Sequence, residues 1–175
     1  MKLRVPLAVA AMLLCFTSSL AAARAQADDL AAAVARSVTS YTRYTVFDDV
    51  RAQLDGTVVT LTGKVTTPGK KEEIGKRIGA IDGVTAVRND IGVLAASPTD
   101  DELRRRVARA IYGNAAFWRY AAMPTPPIRI LVEHGRVTLT GVVGTDSDRA
   151  LARSLATGLG ETSLSCELTT ERASR

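Results

Sequence analysis

Thr60-Leu61-Thr62-Gly63 recurs as Thr138-Leu139-Thr140-Gly141, 78 residues later, and the fold turns on whether that recurrence is a true repeat. The flanks answer the question. Asp55-Gly56 precedes the first copy as His134-Gly135 precedes the second, and Val59 and Val65 find counterparts in Val137 and Val143. Upstream, Asp28-Asp29-Leu30 with Val34-Ala35-Arg36 corresponds to Asp101-Glu102-Leu103 with Val107-Ala108-Arg109. Downstream, Gly83, Val87 and Ile91 correspond to Gly160, Leu164 and Leu168. All the pieces keep one order, so the chain holds two copies of one unit.

Each copy reads with the same grammar. Asp29 and Thr99-Asp100 are helix-start signals, and Leu103, Val107 and Ile111 recur every four residues on one helical face. Val50, Ala52 and Leu54 alternate, then Val59, Leu61 and Val65 follow across Gly56; Ile128, Ile130, Val132 and Val137, Leu139, Val143 repeat the pattern, so each set predicts a β-hairpin. Thr67-Pro68 or Thr145-Asp146 then opens a second helix, containing Ile74, Ile78 and Ile81 or Leu151, Leu155 and Leu159, and Gly83 or Gly160 suits its end. Val87, Asn89, Ile91 and Val93 alternate into a last strand, as do Leu164, Cys166 and Leu168. The expected fold is α+β: two tandem αββαβ units, at 28–95 and 99–170, each with two helices packed on a small three-stranded sheet. A unit of about 70 residues is marginal alone, and the link Ala95-Ala96-Ser97-Pro98-Thr99 is short, so the copies should pack together.

Lys2 and Arg4, the uncharged stretch Val5 to Phe16 and the small residues of Ala23-Arg24-Ala25 read as a cleaved signal peptide over 1–25, with cleavage after Ala27 as the alternative. The apolar core is shorter than the roughly 20 residues a membrane-spanning helix needs. Leu14 precedes Cys15 where lipoprotein processing wants a small residue, so lipidation is not expected. The exported chain then keeps Cys166 as its one cysteine and forms no internal disulfide. Losing Lys2, Arg4 and Arg24 reduces the 23 basic residues to 20 against 18 acidic ones, a net charge of +2. That balance argues against a nucleic-acid partner, which calls for a dense basic face.

Chemistry-bearing motifs are absent from the sequence. There is no Gly-x-Ser-x-Gly elbow and no Gly-x-x-x-x-Gly-Lys phosphate loop. With His134 as the sole histidine, placed at a strand–turn junction, and a single exported cysteine, no soft metal-ligand set can be built. The expectation is a protein with no catalytic residues, metal or cofactor.

Ile111 to Tyr120 concentrates four of the eight aromatic residues: Tyr112, Phe117, Trp118 and Tyr120. Two readings stand. If the helix runs on through Gly113, Phe117 and Trp118 extend the Leu103, Val107, Ile111 stripe and are core. If it ends at Gly113-Asn114, the aromatics are free to face a bilayer interface, where Trp and Tyr are favoured and Arg119 can pair with phosphate. Arg104, Arg105, Arg106 and Arg109 read as lying off the apolar face, either for anionic headgroups or as a solvated face balanced by Asp100, Asp101 and Glu102. Met123-Pro124-Thr125-Pro126-Pro127 reads as a stiff connector, and Lys70-Lys71-Glu72-Glu73 as a polar first turn.

Gly135-Arg136-Val137-Thr138-Leu139-Thr140-Gly141 and Gly83-Val84-Thr85-Ala86-Val87-Arg88-Asn89 resemble the hairpin and the ending of the BON domain, named for bacterial osmotically inducible and nodulation proteins. Gly56 to Gly63 carries one extra residue. Glu161 and Cys166 stand where that ending has valine and asparagine, so the resemblance is carried less fully by the second copy's final strand. The resemblance covers nearly the whole exported chain and implies a periplasmic or outer-membrane-associated protein, similar to osmotically inducible periplasmic proteins. It further implies phospholipid binding, envelope maintenance or chaperone-like work. In related two-repeat envelope proteins the first helix of the second repeat contacts lipid, which implies Tyr112, Phe117, Trp118, Arg119, Tyr120, Arg105 and Arg109 as candidate lipid-binding residues here. The expectation is therefore a non-enzymatic periplasmic envelope-maintenance protein making peripheral contact with anionic phospholipid through its second unit. The alternative is a soluble periplasmic chaperone or protein-interaction module whose partners are envelope proteins.

Overall fold

The computed structural model describes residues 24–171. The expected leader, apart from Arg24 and Ala25, lies outside these residues, as does Cys15.

Gly63 and Gly141 show why the recurring tetrapeptide ends in glycine. Their φ angles are +105° and +115°, and a Cβ at either would fall about 2 Å from the carbonyl oxygen of Asp49, at the start of the neighbouring strand in the first copy, or of Pro127, just before that strand in the second. Only glycine permits that approach. On the same strands Val59, Leu61, Val137 and Leu139 point inward and are fully buried.

The element order confirms an α+β chain of two repeated units. Helix α1 covers residues 24–39; β1 (Asp49–Asp55), β2 (Val58–Val65), α2 (Pro68–Gly79), β3 (Ala86–Asn89) and the two-residue β4 (Gly92–Val93) complete the first unit. The second contains α3 (Pro98–Tyr112), a 3-10 turn (Ala115–Phe117), the single-turn α4 (Trp118–Ala121), β5 (Arg129–Glu133), β6 (Arg136–Val143), α5 (Asp146–Leu155) and β7 (Ser163–Thr170). In both, the hairpin is antiparallel and its second strand is central, pairing in parallel with the strand that returns after the second helix. The two hairpins have turns of equal length, and the longer glycine-to-glycine spacing in the first comes from where the glycine sits in the turn. Gly56-Thr57 places the left-handed residue first (φ +60°), whereas His134-Gly135 uses positive φ at both positions, +54° and +74°, the geometry of a type I′ turn.

Two sequence expectations need correction, and the last strands of the two copies differ in length. The first helix already runs from residue 24, ahead of Asp29. In the second copy the N-cap is Ser97, whose hydroxyl accepts from Asp100 N with Pro98 as the first helical residue, rather than Thr99-Asp100. The final strand of the second copy is the longer one, eight residues against four plus two. Asn89 supplies the reason. Its amide donates to Lys71 O at 2.8 Å on α2 and its carbonyl accepts from Ile91 N at 3.4 Å, so the strand pauses at Asp90-Ile91 before β4 resumes in the same register. The half-buried Cys166 occupies the equivalent rung and lets β7 run through.

The two copies share a seam. Val46 O accepts from Ile130 N at 2.8 Å, extending the β5 edge with backbone from the first unit, and Phe47 packs into the core of the second. Asp49 accepts from Thr140 Oγ1 at 3.0 Å, and Lys64 pairs with Glu133.

Candidate functional site

The aromatic segment resolves into both readings at once. Helix α3 ends at Tyr112 with Gly113 as its C-cap, and Asn114 starts a new turn by accepting from Ala116 N at 3.0 Å. This break rotates the following residues off the α3 stripe. Phe117 is fully buried and Tyr120 nearly so, with ring centroids 5.9 Å apart, while Trp118 between them is 74% exposed. Phe117 and Tyr120, both expected among the lipid-contacting residues, are therefore core, because the short α4 needs apolar anchors to hold it against the sheet.

Tyr120 is bound at its tip as well. Its hydroxyl accepts from Gly144 N at 2.7 Å and from Arg119 Nη2 at 2.7 Å, and donates to Asp148 Oδ2 at 3.0 Å, which uses its whole hydrogen-bonding capacity. Arg119 adds an ion pair to Asp148 at 2.6 Å and stacks over the Tyr120 ring at 4.5 Å. With α4 pinned this way, Trp118, Ala121, Ala122 and Met123 are left facing solvent.

The remaining candidates lie on α3. Tyr112 is half-buried and donates to Ile128 O at 2.5 Å. Burial pushes its hydroxyl up to about 12, against smaller lowering effects of Arg129 and Ile128, so it stays protonated and serves as a tie between α3 and the start of β5. Arg105 is exposed and paired with Glu102 at 2.7 Å. Arg109 is exposed four residues on, along the same face. Arg104 departs from the expected solvated face: it is only 4% exposed, pairs with Asp101 and donates from Nη2 to Val132 O at 2.6 Å. It sits one turn before Val107, on the buried side.

Sequence reasoning missed several polar groups that organise the structure. Asp100 is buried and its two carboxylate oxygens accept from His134 N and Gly135 N, each at 2.8 Å, so the start of α3 clamps the β5–β6 turn. By the alignment of Leu30 with Leu103, the first copy carries Ala27 and Ala31 where the second carries Asp100 and Arg104. Lys70, read as part of a polar turn, is buried against Asp48 at 2.6 Å. A buried Asp-Lys contact between residues 22 apart has no local sequence signal, and neither has a helix-start carboxylate that closes on a turn 34 residues later.

No helix among the described residues is long and apolar enough to cross a membrane. No group of three histidine, cysteine or acidic side chains converges among them as a metal site.

No curated protein matches the sequence significantly. Among solved structures, the chain is similar to CdsD, a structural protein of the Type III secretion system of Chlamydia trachomatis, at 14% identity and a TM-score of 0.31 over 83% of this chain and 95% of that one. The C-terminal domain of CdsD also matches, at 10% identity and a TM-score of 0.30, over 76% and 61%. The family model of the BON domain matches twice, at residues 26–95 and 99–161. The first match runs through β4 and the second covers α3 through α5 and stops before β7, and the chain belongs to the BON domain family with two copies in tandem.

Proposed function

We propose that this is a non-enzymatic periplasmic envelope-maintenance protein whose second unit docks on anionic phospholipid through the surface around Trp118. BON domain proteins are in general associated with membranes, phospholipid and the cell envelope. The observation that carries the reading is the exposure of Trp118 on a turn whose neighbours on both sides are tightly anchored. An indole held out from a rigid support, beside the 44%-exposed Met123, is the amphipathic wedge that an interface accepts. Arg105 and Arg109 follow on the exposed face of α3 as cations for headgroups.

Trp118 is the sole tryptophan, so its fluorescence reports this surface alone. Its exposure implies red emission in buffer. Vesicles containing phosphatidylglycerol should shift that emission blue and co-sediment the protein, and zwitterionic vesicles should do so less. Emission unchanged by vesicles, with the protein left in the supernatant, overturns the membrane reading and leaves the protein-interaction alternative.

A further inference from the structure

Three basic side chains are buried among the described residues, and they differ in what neutralises them. Lys70 meets Asp48 and Arg104 meets Asp101, but Arg129, 9% exposed, meets no carboxylate. Its hydrogen bond runs from Nη1 to the backbone oxygen of Thr45 at 3.3 Å, and its guanidinium lies over the ring of Tyr44, 4.7 Å from the centroid. A guanidinium carries five N–H donors, and burying an unpaired charge is costly unless a counter-charge is supplied.

Arg129 borders a cavity of about 600 Å³ at the seam between the copies. Arg36, Ser40 and Thr42 line it from the end of α1 and the following loop, Pro126 lines it from the connector, and no acidic residue does so among the described residues. The side chains of Arg36, Ser40 and Thr42 make no hydrogen bond or ion pair with another described residue. One buried cation, one further cation and two residues with unengaged hydroxyls border one space.

We propose that this cavity binds a phosphate-type oxyanion, with the Arg129 fork as its principal ligand and Arg36, Ser40 and Thr42 as the remaining donors. Two guanidinium groups and two hydroxyls offer more donors than the two oxygens of a carboxylate can take, and they suit the several oxygens of a phosphate. Arg129 comes from the second copy and the other ligands from the first, so the bound anion braces the seam. The group can be a free phosphate or small phosphoester, or the headgroup of a phospholipid. The site is separate from the Trp118 surface and does not depend on it.

The test titrates the protein calorimetrically with inorganic phosphate and with glycerol 3-phosphate at constant ionic strength, and follows Tm alongside. Saturable binding with a rise in Tm is expected. Arg129→Gln should weaken binding about tenfold or more, and Arg36→Gln by less, since charge-assisted bonds from a buried fork outweigh those from an exposed one. Arg129→Lys keeps the charge but loses the fork, should bind with intermediate strength, and serves if the glutamine variant does not fold. Absence of saturable binding by the wild type, or unchanged binding by the folded Arg129 variants, overturns the proposal. Competition between phosphate and phosphatidylglycerol vesicles identifies a headgroup as the source, and phosphate binding without competition identifies a free anion. Trp118→Ala should leave phosphate binding intact, so the membrane reading and this one fail separately.

Discussion

The corner between the second strand and the second helix is fastened in both copies, by different chemistry. In the first copy Asp48 accepts from Thr66 N at 2.9 Å, from Thr45 N at 2.8 Å and from Lys70 Nζ at 2.6 Å. Seventy-eight residues on, Gly144 takes the place of Thr66 and Asp148 that of Lys70, and there the Tyr120 hydroxyl accepts the Gly144 N–H and donates to Asp148, with Arg119 completing the cluster. In the first copy the acid lies on the loop before β1 and the base on α2; in the second the acid lies on α5 and the base on the short α4. A backbone N–H at a buried corner must find an acceptor, but the acceptor's identity is free to change. Using a phenol instead of a carboxylate brings an aromatic turn to the surface of the second copy, and Trp118 with it.

The comparison implies unequal costs. Asp48→Ala leaves the Lys70 ammonium with only the Thr66 hydroxyl and the Thr45 and Thr66 N–H groups without their acceptor, and should destabilise the protein by about 3–5 kcal/mol, the range for breaking a buried ion pair from one side. Chemical denaturation followed by circular dichroism measures it. Tyr120→Phe removes a neutral hydroxyl and keeps the packing against Phe117, so about 1–3 kcal/mol is expected. Equal losses in the two variants would show that the corners are energetically alike despite their chemistry.

Acid should separate the copies further. Burial by itself raises the Asp48 pKa, but hydrogen bonds from Lys70, Thr45 and Thr66 together outweigh it and hold the carboxyl below its usual range. A lowered folded value means that the stabilisation is complete above the ordinary aspartate pKa of about 4 and is lost as pH falls below it, through the folded value. Denaturation midpoints measured down through that window should drop in the wild type and drop less in Asp48→Asn. An identical acid limb in both would remove Asp48 as its source.

The smallest effect on stability belongs to Trp118→Ala, within about 0.5 kcal/mol because the ring is mostly solvated. Vesicle co-sedimentation should nevertheless fall strongly. A large loss of stability would mean that Trp118 supports the fold after all.

Much of this architecture was legible from the chain alone. Thr60 to Gly63 and Thr138 to Gly141, the alternating valines and leucines, and the capping threonines Thr67 and Thr145 place strands, turns and helices in the observed order. Turn conformation, capping and hydrophobic period act over a few residues, so a sequence states them directly. The fate of the polar and amphipathic side chains was not legible. Arg104 and Lys70 are buried because Val132 and Asp48, 28 and 22 residues away, supply partners. Arg129 reaches Thr45 across 84 residues, and Phe117 parts from Trp118 because α3 ends at Tyr112, short of both positions in the continued stripe. Burial of a charge, or exposure of an indole, depends on what distant segments bring to the same place, and that balance of desolvation and pairing exists only once the chain has folded.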